Sequence, residues 1–200
     1  QGWDHSYDLR GKRVAVIGTG ASAIQFVPEV AKEAAQLDLY QRTPPWIMPK
    51  PDRTIRSLEK QLYRRFPETL NAYRQSLYWM LEGRVLGFVG NPRILKLGEL
   101  QARRHIRSQI KDKALRKKVT PDFHFGCKRV LISNNYYPAL VQDNVSVLTD
   151  GIREVRGHVI VDNQGREREV DCLIYGTGFK AQDPIPAGMV RGRGGQDLLD

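Results

Sequence analysis

The chain has 200 residues, 40% of them hydrophobic and 27% charged, with a net charge of +10. That length holds one folded unit with its core, or one unit carrying an insert. No apolar run approaches the ~18 residues that a membrane-spanning helix needs, and no secretory signal opens the sequence.

A start at Gln1 and a Gly/Arg-rich close read as the ends of a piece taken from a longer chain. Cys127 and Cys172 lie far apart, in no metal-binding spacing, and are expected to be reduced, buried thiols of a cytoplasmic protein. The positive charge is concentrated in residues 50–118, which hold eighteen Lys and Arg against six Asp and Glu. Such asymmetry suits nucleic acid or an anionic membrane surface. A solvated basic helical face is the simpler reading.

In chain order, residues 3–10 form a polar lead-in and Gly11-Lys12 turns into a strand at residues 14–17. The run VAVI then enters Gly18-Thr19-Gly20-Ala21-Ser22-Ala23, and a helix is predicted over residues 21–36. Gly18, Gly20 and Ala23 fit the spacing G-x-G-x-x-G/A between the first strand and first helix of a dinucleotide-binding unit. Gly18 permits the tight turn. Gly20 keeps side-chain atoms away from a pyrophosphate, and Ala23 lets the helix lie close on the strand. Phosphate oxygens would then meet free N–H groups at the positive end of a helix. A purely structural glycine turn is the alternative. Pro28 falls inside the helical pattern and is expected to kink it or to loosen one hydrogen bond.

A second strand is predicted at residues 37–40. A unit that binds NAD places an Asp or Glu near the end of this strand to accept the ribose hydroxyls. Here Gln41, Arg42 and Thr43 follow instead. A guanidinium beside a hydroxyl suits the 2′-phosphate of NADP, although an ordinary surface arginine gives the same sequence. Pro44, Pro45, Pro49 and Pro51 keep the next stretch extended. Residues 52–118 read as helical, with Leu58, Leu62, Phe66, Leu70, Tyr73, Leu77, Met80 and Leu81 at helical spacing, and Ile106 and Ile110 four apart. Residues 77–89 are apolar but too short to span a bilayer, and are expected to face inward or to cover a substrate site.

Residues 120–142 read as a loop feeding a strand. Within them Gly126-Cys127-Lys128-Arg129 sets two cations after a glycine. This suits a phosphate or an anionic intermediate, or equally a pair of exposed charges. The last third reads as short strands: 145–148, a hairpin of 152–155 and 158–161 turning at Arg156-Gly157, a turn at 162–165, and a strand at 170–175. That strand runs into Gly176-Thr177-Gly178, which suggests another close backbone approach to a cofactor or the point where the chain crosses to another domain. His105, His124 and His158 show no ligand spacing, and no Ser/His/Asp or paired-carboxylate arrangement is present.

Four stretches taken together, GKRVAVIGTGASAIQ, LYQRTPPW, GCKRVLISNNYYPAL and DCLIYGTGF, resemble the NADP-binding half of Baeyer–Villiger monooxygenases, class B flavoprotein enzymes, nearest those acting on aryl ketones such as hydroxyacetophenone. The resemblance implies an α/β fold, a Rossmann-like dinucleotide-binding domain in three layers (β/β/α) with a helical insert. It divides the chain into residues 1–51 and 119–180 for the nucleotide domain, 52–118 for the insert and 181–200 for a linker towards a flavin domain. By the same resemblance Gly18, Thr19, Gly20, Ala21, Ser22, Ala23, Gln25, Gly176, Thr177 and Gly178 surround NADP. Arg42, Thr43 and Lys128 hold its 2′-phosphate, and Arg129 is the active-site arginine. Trp3 matches the end of the family's fingerprint, with Asp4 where many members have Pro.

The implied reaction is NADPH-dependent reduction of FAD, then O₂ addition to a C4a-peroxyflavin that converts a ketone to an ester or lactone. The family's first glycine-rich motif, for FAD, is not found in these residues, so FAD contacts are expected mostly elsewhere. The competing readings are a flavin monooxygenase acting on nitrogen or sulfur, an isolated NADP-binding module, and a basic binder of nucleic acid or of a membrane surface through the insert. No nucleic-acid partner and no metal are expected.

Overall fold

A computed structural model of the protein describes residues 3–83, 85, 87, 92–178 and 188–197. Among them, strands β1 (Arg13–Ile17) and β2 (Gln36–Tyr40) flank helix α1 (Ala23–Glu33) in sequence. With β5 (Val145–Leu148) and β9 (Cys172–Tyr175) they form a parallel sheet in the order β5-β2-β1-β9. Parallel strands are buried on both faces, so successive side chains enter two different cores. Val14 and Val16 of β1, with Leu37 and Leu39 of β2, pack with Ile24, Val27 and Ala31 of α1. Ala15 and Tyr40 point the other way, onto Ile160 and Val170. That second layer is an antiparallel meander of β6 (Ile152–Arg156), β7 (Val159–Asp162) and β8 (Glu167–Glu169), turning at Gly157 (φ +52°) and Gly165 (φ +81°). Meander, parallel sheet and helices give the three layers of a Rossmann-like dinucleotide-binding fold.

The register of β1 against β9 is fixed by Arg13. Its backbone N–H and Nε donate to one Asp171 oxygen at 2.8 and 3.1 Å, and its Nη2 to the other at 2.8 Å. These bonds from Arg13 hold the Asp171 carboxyl well below the usual carboxylate range. A carboxyl whose folded pKa is depressed stabilises the fold above its unfolded value and ceases to as pH falls through the folded value. The melting temperature is therefore expected to decline below about pH 4. Asp171→Asn should melt lower at pH 7 and show a flatter acid limb in calorimetry, and an unchanged acid limb would rule the clamp out.

Several expectations are corrected. The helix is shorter than 21–36, because Ala34 already has extended backbone. Pro28 does sit inside it. Residues 120–142 are not loop and strand alone: Asn135 leads into a short helix α6 (Tyr136–Leu140) that buries both tyrosines, and β4 (Leu131–Ile132) is only two residues long. Both cysteines are free, but Cys127 is exposed and Cys172 only partly buried, packed against the main core.

The middle of the chain is helical: α2 (Ser57–Arg65), α3 (Pro67–Glu82), α4 (Pro92–Gln109) and α5 (Lys113–Val119). Ala102 and Ile106 of α4, with Ile110 just after it, enter the main core. Asp112 caps α5, accepting from the N–H groups of Ala114 and Leu115. The helices α2 and α3 pack on each other but bury no residue. Leu58 is 78% exposed and Trp79 68%, with Tyr78, Met80 and Leu81 also exposed. The inward-facing expectation for 77–89 therefore fails over residues 78–83, while Leu77 is partly buried and Gly87 buried. Residues 84, 86 and 88–90 lie outside the described residues, as do 179–187 and 198–200 of the expected linker. No helix among the described residues is long and apolar enough to cross a membrane.

Candidate dinucleotide-binding cleft

All four strands of the parallel sheet end at one edge, and the loop after each of them lines a cleft of about 820 Å³. Residues 18–22 follow β1, 41–43 follow β2, 149–152 follow β5 and 176–178 follow β9. This crevice at the carboxyl ends of parallel strands is where open α/β sheets bind ligands.

The glycine turn is built by close backbone contact. Gly18 has φ +107°, donates its N–H to the Tyr40 carbonyl at 3.0 Å, and lies so near Gly176 that a Cβ would sit 2.5 Å from the Gly176 oxygen. Gly20 differs, since a Cβ there would meet nothing nearer than 3.9 Å. Its smallness serves the open cleft rather than the protein's own packing. Ala23 is fully buried, and a Cβ on Gly176 would come 3.2 Å from its methyl. The close packing that Ala23 permits is thus against the end of β9. Among the described residues the N–H groups of Thr19, Gly20, Ala21 and Ser22 have no acceptor, and the first turn of α1 carries no acid. These donors at a helix N-terminus form a cradle for an anion.

Two further contacts shape the cleft. Thr19 Oγ1 donates to the Thr43 carbonyl at 3.2 Å, tying the glycine loop to the loop after β2. Beyond that loop the chain forms β3 (Ile47–Met48), which pairs in parallel with β4. Trp46 anchors this bridge. Its side chain is 1% exposed, its indole N–H donates to the Phe123 carbonyl at 2.9 Å, and the Arg103 guanidinium lies 5.0 Å over its ring. The bridge delivers Lys128 and Arg129 to the cleft wall although they are more than eighty residues from Arg42. The Lys128 ammonium rests 4.6 Å over the Phe123 ring. Arg42 and Arg129 are exposed and make no hydrogen bond or ion pair with another described residue. The acid in the wall, Asp150, is already bonded to Arg166. Tyr40 lines the floor, its phenol pushed up by burial and by the Asp38 carboxylate, and so stays neutral.

Of the residues singled out from sequence, Gly18, Thr19, Gly20, Ala21, Ser22, Arg42, Thr43, Lys128, Arg129, Gly176, Thr177 and Gly178 line this one cleft. Ala23 and Gln25 do not. Ala23 is beneath the turn, and Gln25 donates its side-chain amide to the Ala21 carbonyl at 2.8 Å. Residues 149–152 and Gln41 were missed. Asp150-Gly151 is a turn signal after an apolar strand, but only the sheet order brings it to the site. A second cleft, of about 790 Å³, lies beside β9 and Trp3. Its charged wall includes Asp4, Glu29 and Glu33, the wrong sign for a nucleotide. No group of His, Cys, Asp and Glu among the described residues could hold a metal ion.

No family model matches the chain. It is 63% identical over all 200 residues to a Baeyer–Villiger monooxygenase of Pseudomonas aeruginosa and 46% identical over 198 residues to another of Streptomyces coelicolor. The chain spans 38% of the length of each of these relatives. The fold matches OTEMO in complex with FAD and NADP at TM-score 0.73 and 28% identity, over 98% of this chain and 43% of that one. It also matches a steroid monooxygenase bound to NADP at TM-score 0.76 and 24% identity, over 98% and 45%. From end to end the chain resembles one part of the Baeyer–Villiger monooxygenases.

Proposed function

We propose, from that whole-length resemblance, that these residues are the NADP-binding part of an NADPH- and FAD-dependent monooxygenase that converts ketones to esters or lactones. The observation that carries the reading is the donor set of the cleft: four unpartnered N–H groups at the start of α1, with Arg42, Lys128 and Arg129 around them and the wall's acid neutralised by Arg166. This set fits a pyrophosphate and a 2′-phosphate, and the turn is open at Gly20, where a Cβ would meet nothing nearer than 3.9 Å.

In this reading the nucleotide lies across the ends of the parallel strands. The N–H groups of residues 19–22 and the α1 dipole hold its pyrophosphate. Arg42 offers a planar fork to the 2′-phosphate, with the Thr43 hydroxyl and the Lys128 ammonium alongside. Arg129 is the cation left over for the reacting end. FAD, bound mostly by parts of the full-length protein outside these 200 residues, supplies the oxygen chemistry when present. The ketone and O₂ meet there, and Arg129 favours negative charge that builds up during oxygen transfer.

The direct test is the full-length protein with FAD, NADPH and a panel of aryl and cyclic ketones. Ester or lactone formed one-to-one with NADPH consumed supports the reading. Products from amines or sulfides, with none from ketones, would move the protein to a different oxygenase class. At the cofactor end, losing a charge-assisted bond of roughly 1.5–3 kcal/mol corresponds to about 10–100-fold in affinity. Arg42→Ala is therefore expected to raise the Kd for NADPH by that factor and leave NADH unchanged, measured by calorimetric titration.

A further inference from the structure

Gln41 stands one residue before Arg42, where β2 passes into the cleft loop, and is only 2% exposed. Its Nε2 donates to the Lys118 carbonyl in the last turn of α5 at 2.9 Å. Its backbone N–H donates to the Leu148 carbonyl at the end of β5 at 2.8 Å. The Lys118 ammonium donates in turn to the Val147 carbonyl, also at 2.8 Å. The start of the loop is thereby tied to a helix and to the neighbouring strand. Thr19 holds the same loop from the other side, through the Thr43 carbonyl.

Packing alone does not account for an amide here. Gln41 Oε1 is buried and has no partner, an expense that a methionine of similar shape would avoid. A glutamate would be worse. Its carboxylate would face the Lys118 carbonyl, two acceptors with no proton between them. Yet an acid close to this strand end is what an NAD-binding unit uses.

We propose that Gln41 is a specificity-determining positioning residue. Its bond to the Lys118 carbonyl fixes the path of residues 41–43, so that Arg42 and Thr43 meet a 2′-phosphate, and the same carbonyl bars the carboxylate that would turn the site towards NAD. Gln41 acts through Arg42 and does not itself grip the phosphate. The inference rests on the NADP reading above and adds the residue that enforces it.

The test is steady-state kinetics of the full-length protein with NADPH and with NADH, alongside melting curves and flavin content. Gln41→Met is expected to raise KM for NADPH about tenfold, with KM for NADH and kcat within about twofold, because only the aim of Arg42 is lost. Gln41→Glu should raise KM for NADPH further and narrow the preference between the two nucleotides. If Gln41→Met moves both KM values alike, moves neither, or fails to fold, the proposal is overturned, since the amide then serves the core or nothing. The cofactor reading fails separately, if Arg42→Ala leaves KM for NADPH unchanged. Loss of preference in Arg42→Ala with none in Gln41→Met removes this inference alone.

Discussion

Gly18→Ala is expected to melt on the order of 10 °C below the parent protein, whereas Gly20→Ala should melt with the parent and bind NADPH poorly. The two glycines are two residues apart in one motif, but their surroundings differ. An alanine at 18 would take a φ of +107°, at a cost of about 1–2 kcal/mol, and would press its Cβ to 2.5 Å from the Gly176 oxygen. Because the obstacle is backbone, relief requires β9 to move away from β1, adding roughly 1–3 kcal/mol of overpacking. The total, about 2–5 kcal/mol, is a large share of a domain's stability. At 20 the φ is ordinary and the nearest obstacle is 3.9 Å away, so the fold tolerates a methyl. That methyl would instead stand among the free N–H groups of residues 19–22, and losing one or two bonds to a charged phosphate weakens affinity about 10–100-fold. Calorimetric melting and NADPH titration of both variants check the pair. Equal melting temperatures would show that the Gly18–Gly176 contact does not matter.

Arg129→Ala in the full-length protein is expected to lower ester formation at least about 100-fold while the Kd for NADPH rises less than about tenfold. The asymmetry follows from how the adjacent cations are held. Lys128 is steadied against Phe123, while Arg129 makes no contact with another described residue that would occupy its donors. A guanidinium with all its donors free has most to offer when new negative charge appears beside it, and least to offer in the resting state. Product analysis by gas chromatography alongside NADPH titration separates the two quantities. A variant forming ester at the parent rate would remove Arg129 from the reaction.

The parts of the site that were legible in the sequence are those whose signal is local. Residues 14–23 announce themselves because strand, turn and helix follow each other within a dozen positions, and each small residue has its own steric reason. The end of β2 is equally readable, since Gln41-Arg42-Thr43 replaces an acid at a fixed distance from the glycines. What was not legible depends on contacts between distant residues. Residues 149–152 join the cleft only because β5 pairs with β2, a neighbour over a hundred positions away. Gln41 was legible only as the end of the strand, and its bond to the Lys118 carbonyl could not be foreseen without knowing where α5 packs. The helix α6 is five residues with a proline inside, too short for periodicity to reveal. For α2 and α3 the helical spacing was read correctly, but spacing tells which residues share a face and not whether anything lies against it.

The absence of any buried side chain in α2 and α3 bears on how the fold tolerates mutation. Substitutions on these exposed faces are expected to be close to neutral for the fold of the described residues. Ile106 and Ile110, a short way on, are buried and anchor the chain's return towards β4. The shape of the cleft is thus expected to survive exchange of side chains across this helical hairpin.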